Sequence, residues 1–194
     1  MKKAALLAVP IILLWSAWAS AQEGFKFGVG YSAGIHVPVV QDDQGSGYLM
    51  QFRLRWALGN LVMLEPNLDL GKYGEPGDVD VDDHASFSYG IDGSSVTAYG
   101  INATIGGMPG ATGIKPFFLG GIGFYKMKRD DTENVEDSKS RFGWTGGLGL
   151  AIGFTPQFDL DIRGQAHVIS FEGGTSKKSL SAMAGLNYNF SLGR

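Results

Sequence analysis

Apolar and polar residues alternate along nearly the whole chain beyond residue 24. In FDLDIRGQAH (158–167), Phe158, Leu160 and Ile162 take turns with Asp159, Asp161 and Arg163. A period of two belongs to a β-strand with two unlike faces. The pattern predicts eight strands, at about 25–37, 48–58, 62–71, 95–105, 114–125, 142–154, 158–168 and 179–190. No segment carries a convincing helical period. The connections alternate in length: Gly59-Asn60, Gly106 to Gly113 and Thr155-Pro156-Gln157 are compact, while 38–47, 72–94, 126–141 and 169–178 are longer and polar. An even number of strands with short turns at one end and long loops at the other predicts an all-β, antiparallel, up-and-down barrel that crosses a membrane.

Volume decides which face is inside. An eight-stranded barrel is just wide enough for side chains to fill it. The apolar faces carry more than a dozen aromatic rings, Trp56 and Trp144 among them, and these cannot all fit in so narrow a lumen. The opposite faces carry Gly28, Gly30, Ser32, Gly34, Gly121, Gly123, Gly143, Gly147, Gly149, Ser179, Ser181 and Gly185. The apolar face therefore meets lipid. Phe25, Trp56, Phe154, Phe158, Tyr188 and Phe190 fall at one set of strand ends, and Tyr48, Phe124, Phe142 and Trp144 at the other. Two aromatic girdles at headgroup level are expected of such a barrel. A soluble secreted sandwich or lipocalin-like barrel is the alternative, and its outer face would be rich in Lys, Glu and Thr.

The first 21 residues add a destination. Lys2 and Lys3 precede the apolar run AALLAVPIILLWSAWA, and Ala19-Ser20-Ala21 supplies the small residues a signal peptidase reads. Residues 1–21 are expected to be a cleaved signal peptide and 22–194 the barrel domain, exported from a bacterial cytoplasm. No other stretch approaches the apolar length of a spanning helix. Removing two lysines and no acid makes a formal net charge of −3 more negative still. That argues against nucleic acid, whose phosphates require a basic surface. With no cysteine there is no disulfide, thiolate nucleophile or Cys-ligated metal.

Charges on the inner face should be paired, because an isolated buried charge is costly. A tight turn at Gly59-Asn60-Leu61 keeps strands two and three in register, setting Arg55 opposite Glu65 and Gln51 opposite Asp69, with Arg53 between the acids. Asp159, Asp161 and Arg163 from strand seven complete the expected network. Comparable numbers of acids and bases suit a plugged interior better than an open pore.

The segments KPFFLGGIGFY (115–125), RFGWTGGLGLAIGFTPQFDLDIRGQ (141–165) and LSAMAGLNYNF (180–190) resemble the small outer-membrane β-barrel family that includes OmpA-like and OmpX-like proteins. The last of them looks like the C-terminal signal read by the barrel-assembly machinery, although Ser191-Leu192-Gly193-Arg194 follow Phe190, where many members stop. The resemblance implies residence in the outer membrane, with the long loops outside. Lys126, Lys128, Arg129, Lys139, Arg141, Lys177 and Lys178 would then lie near the outer rim as candidate lipopolysaccharide contacts, or as simple solubilising charge.

Other motifs carry less. GVGYSAG (28–34) is one residue longer than a dinucleotide fingerprint and precedes no helix. DVDVDD (78–83) lacks the Gly and Glu of a calcium loop and reads as an acidic surface loop, with weak divalent-cation binding as the alternative. His167, Ser170 and Glu172 suggest a hydrolase, but His167 and Ser170 differ by an odd number and face opposite ways on a regular strand. His36 and His84 read as ordinary polar positions. No catalytic, cofactor or metal site is expected. The expected role is structural or surface-interactive, with an unidentified loop partner. The alternatives are a narrow channel or small-molecule transport barrel, and a lipid A-modifying enzyme.

Overall fold

The computed structural model describes residues 25–39, 45–74, 94–129, 140–170 and 176–192. Eight strands form there: β1 Phe25–Pro38, β2 Gly45–Leu58, β3 Val62–Gly74, β4 Ser94–Gly106, β5 Gly113–Arg129, β6 Ser140–Gly153, β7 Phe158–Ser170 and β8 Ser176–Leu192. Each pairs antiparallel with the next, and β1 pairs with β8 to close the barrel. Among the described residues there is no helix. Closure leaves no strand edge, which is what lets a sheet sit in lipid, where an unpaired backbone group has no water to turn to.

Period-two alternation turns into burial. In β7 the pattern from Phe158 runs exposed, buried, intermediate, buried, and continues so to Ile169. Asp159, Asp161, Arg163, Gln165 and His167 are buried, whereas Ile162 is 50 % exposed. Over most of its length the outward face is apolar, with Leu148, Phe118 and Trp144 at 61 %, 65 % and 57 % exposure. Such a surface is tolerable only against lipid.

All eight strands were legible in the pattern, but at the end of the long connections most run further than it suggested. β3 extends to Gly74, β5 to Arg129, and β8 begins at Ser176. Segments read as loop, such as 126–129 and 176–178, are still laddered, as Ser95↔Lys128 and Ser170↔Ser176 show. Apolar alternation ends where the hydrocarbon ends, while backbone pairing continues into the headgroup zone, where polar outward residues are allowed. β8 also passes Phe190, with Leu192 opposite Phe25.

Two of the three compact turns are made by glycine. Gly59 has φ +90°, and Gly106, Gly107, Gly110 and Gly113 all have positive φ. A residue with a Cβ at such a position is strained by roughly 1–2 kcal/mol. The turn between β4 and β5 folds toward the barrel mouth, so that Gly107 and Pro109 are buried.

Ile162→Arg would put a cation against lipid partway along β7. It is expected to lower unfolding stability by roughly 2–4 kcal/mol near the midplane, while Ile162→Ala stays close to wild type. Urea unfolding in liposomes reads both.

Candidate functional site

The inner face holds the only concentration of buried chemistry among the described residues, and it is arranged in three levels along the barrel axis. At the end of the compact turns, Ala57, Leu58, Met63, Phe117, Leu119 and Ala151 are buried. Arg163 lies over the Phe117 ring, with its guanidinium carbon 5.3 Å from the centroid.

The middle level is charged. The tight turn holds β2 and β3 in the register Gln51↔Asp69, Arg53↔Asn67 and Trp56↔Leu64. Arg55 Nη1 donates to Asp159 Oδ2 at 2.7 Å and to Asn189 Oδ1 at 2.9 Å, while Nη2 donates to the Gly107 carbonyl at 3.1 Å. Its Nε lies 3.6 Å from Glu65 Oε1. Arg53 Nη2 donates to Asp161 Oδ2 and to Asn187 Oδ1 (2.8 Å), and its Nη1 donates to Ser32 Oγ. Arg163 binds Asp161 through Nη2, and its Nη1 reaches Glu65 Oε2 at 3.3 Å. Asn187 and Asn189 each donate to Asp159 at 2.6 Å. Six of the seven expected network residues thus meet directly. Asp69 is reached through Gln51, whose Nε2 donates to Asp69 Oδ1 at 2.9 Å and whose Oε1 accepts from Arg163 Nη1 at 3.3 Å.

The level nearest the long connections is aromatic and histidine-rich. Tyr73, Val96, Ala98, Tyr125 and Ile169 form a buried cluster. The Tyr73 hydroxyl lies 3.1 Å from His36 Nε2, and the Tyr125 hydroxyl lies 2.8 Å from Thr145 Oγ1 and 3.1 Å from His167 Nδ1. The two imidazole rings are 5.6 Å apart. His167 Nε2 lies 3.2 Å from Ser181 Oγ. Among the described residues, His36 Nδ1, both amide atoms of Gln165 and Ser179 Oγ are buried without a hydrogen-bond partner. Their residues are neighbours in the strand lattice: Ser181 pairs with His36 on one side and Gln165 on the other, and Ser179 pairs with His167.

The rim residues divide. Lys126 and Lys178 are exposed on the outward face, and Arg141 is half-buried. Lys177 corrects the expectation. It is only 7 % exposed and its Nζ lies 4.7 Å from the centre of the Tyr73 ring. The alternation that turns Ser179 and Ser181 inward carries Lys177 with them once β8 begins at Ser176. The side chains of Lys128 and Arg129, and all of Lys139, lie outside the described residues. So do DVDVDD, His84 and Glu172. His167 is buried and Ser170 exposed, as the odd spacing required.

Sequence reasoning missed Asn187, Asn189, the Gly107 carbonyl and the Tyr73–Tyr125 level. The asparagines were within reach, since they share parity with Gly185. Tyr125 likewise shares parity with Gly121 and Gly123. The carbonyl was not, because nothing in a glycine-rich turn says that it folds back into the mouth.

A family model described as outer membrane protein beta-barrel domain matches residues 4–190. The fold is similar to that of Neisserial surface protein A, at TM-score 0.60 and 16 % identity, covering 86 % of this chain and 97 % of that one. The N-terminal barrel of Pseudomonas aeruginosa OprF gives TM-score 0.52 and 18 % identity, covering 84 % and 97 %. OprG of the same organism gives 0.55 and 11 %, covering 87 % and 97 %. No curated protein matches the chain.

Arg55→Ala would strand Asp159 among apolar and amide neighbours and release the Gly107 turn. Removing one partner of a buried pair costs about 3–5 kcal/mol. Lumenal water can lower that, so a loss of about 3 kcal/mol in urea-treated liposomes is expected. Asp69→Asn, which touches the network through one amide, should cost under about 1 kcal/mol.

Proposed function

The chain belongs to the outer membrane protein beta-barrel domain family, and on that premise we propose that it is a structural, surface-presenting barrel of the outer membrane whose lumen is occluded. The observation that supports this most is the three-level interior. An apolar level at the turn end, a compensated charge network and an aromatic level succeed one another in a barrel only wide enough for side chains. The work of such a protein falls to its four outer connections. The leader over residues 1–21 would deliver the chain to export and leave Gln22 as the first residue, and the strand ending in Phe190 would be read by the assembly machinery.

Conduction is favoured by the unpartnered atoms of His36, Gln165 and Ser179. Buried polar groups of this kind commonly hold water, and water beside β8 would be the start of a narrow path. Catalysis has less behind it. The Ser181–His167 contact pairs a hydroxyl with an imidazole, but both are buried on the inner face, and the other ring nitrogen meets a phenol rather than a carboxylate.

In planar bilayers the unmodified protein is expected to show little or no steady conductance, whereas a large, stable conductance would replace the structural reading with transport. Orientation is tested separately. An epitope inserted within 75–93 should bind antibody on intact cells, and one at Thr155–Gln157 only after permeabilisation; the reverse result would invert the barrel. Sequencing the N-terminus of the membrane-extracted protein should return Gln22.

A further inference from the structure

The lipid-facing wall is not uniform. A groove of about 400 Å³ lies on its outer surface, lined by Pro66, Tyr99, Ile101, Ile122, Phe124 and Phe142 together with Asn67, Gly100 and Gly123. The lattice of paired strands fixes its position. One row runs Pro66↔Ile101↔Ile122 across β3, β4 and β5, and the next row outward runs Leu68↔Tyr99↔Phe124↔Phe142. That second row is an aromatic ladder: Tyr99 and Phe124 centroids are 5.9 Å apart, as are those of Phe124 and Phe142, while Trp144, 5.3 Å from Phe142, belongs to the first row beside Ile122. The groove is thus apolar at its floor and walled by rings on its outer side.

Cations stand directly above it. The next row outward is Leu70↔Thr97↔Lys126, and Lys126 is exposed. One row further, Lys72 of β3, also exposed, pairs with Ser95. From Ile122 to Lys126 is four residues, or about 13 Å of strand at 3.3 Å each. A bilayer's hydrocarbon core is about 30 Å thick, so one leaflet takes about half of that. Strand tilt shortens that rise to about 10 Å, and the length of the lysine side chain carries the ammonium further toward the headgroups. Position, not just composition, sets two outward-facing cations beyond the apolar slot, toward the long connections.

We propose that this sector of the wall, from β3 to β6, is a binding site for a phosphorylated, acylated glycolipid of the outer leaflet. An acyl chain lies in the groove beneath the Tyr99–Phe124–Phe142 ladder, and its headgroup phosphate is held by Lys126 and Lys72. Apolar contact alone would accept any lipid tail; the lysines above the slot select a tail that carries an anionic head at that height. Lys178 stands on β8, away from the groove, and Lys177 points inward. Neither belongs to the site. The inference rests on the long connections facing outward, and is independent of whether the lumen conducts.

The test compares lipid retention by native mass spectrometry of full-length protein folded in nanodiscs that contain lipopolysaccharide or, instead, phosphatidylglycerol. Three variants are used: K72Q/K126Q removes the cations, Ile122→Trp fills the slot, and Ile114→Trp alters outward surface at the other end of β5. A cell-surface epitope within 75–93 verifies orientation independently, so an inverted barrel is told apart from an absent site. Each lysine near an anionic surface is worth about 1 kcal/mol, roughly a fivefold change in retention. Lipopolysaccharide retention is expected to fall at least tenfold in K72Q/K126Q and severalfold in Ile122→Trp, and to persist in Ile114→Trp. Retention unchanged in the first two variants would overturn the site. So would equal retention of phosphatidylglycerol by the wild type, which would reduce the lysines to general anion attraction. Each variant is first checked for the folded barrel by its heat-modifiable mobility, and Lys126→Arg, which keeps the charge, is expected to retain lipid if Ile122→Trp fails to fold.

Discussion

Arg53, Arg55 and Arg163 lie inside a closed wall of eight strands, where their guanidinium groups share Glu65, Asp159 and Asp161. An unpaired ion in such a place costs several kcal/mol, and here each arginine touches at least two acids. Asn187, Asn189, Ser32 and Gln51 take up further guanidinium donors, while the Nε of each arginine and Glu65 Oε1 make no hydrogen bond among the described residues. The network draws β1, β2, β3, β7 and β8 together across the lumen and reaches β4–β5 through the Gly107 carbonyl. Sheet pairing alone joins only neighbours. The charges join strands that share no ladder, so they fix how the barrel is filled as well as that it closes.

That arrangement explains why the outside can be so apolar. With every strand turning one face to an interior that its own side chains fill, the other face is free to be Leu, Ile, Phe and Trp over the whole hydrocarbon span. The outward aromatic residues gather toward both ends, with Trp56, Phe158 and Tyr188 near the compact turns and Tyr48, Phe124 and Trp144 near the long connections. Rings at these depths place one edge in hydrocarbon and one among headgroups. Backbone closure, inward charge and outward apolarity are one solution to the absence of water around the strands.

Much of this was visible in the order of residues. Period-two alternation locates all eight strands, and parity alone turns Asp159, Asp161, Arg163, Gln165 and His167 inward. The pairing of Gln51 with Asp69 follows from the length of the Gly59-Asn60-Leu61 turn. What the pattern hides is of two kinds. Strand ends beyond the hydrocarbon, as at Lys126 to Arg129 and Ser176 to Lys178, lose their apolar signal while keeping their backbone pairing, and this is why Lys177 was misplaced. Contacts across the lumen depend on shear and side-chain reach, which no local window contains. Arg53 to Asn187 spans 134 residues. Likewise, the level of Tyr73, Tyr125, His36 and His167 is assembled from four strands whose sequences do not mention one another.

The central claim is that the inward charges act as one coupled network. A double-mutant cycle on Arg55 and Asp159, using Arg55→Met, Asp159→Leu and the pair of substitutions together, measures it most directly by urea unfolding in liposomes. Groups in direct contact within one network couple by about 0.5–3 kcal/mol, and the 2.7 Å contact between these two enclosed groups predicts a value near the top of that range. The double variant should then be markedly more stable than the sum of the single losses. Additivity within about 0.5 kcal/mol would show that the two side chains do not meet inside the barrel, and would contradict the account.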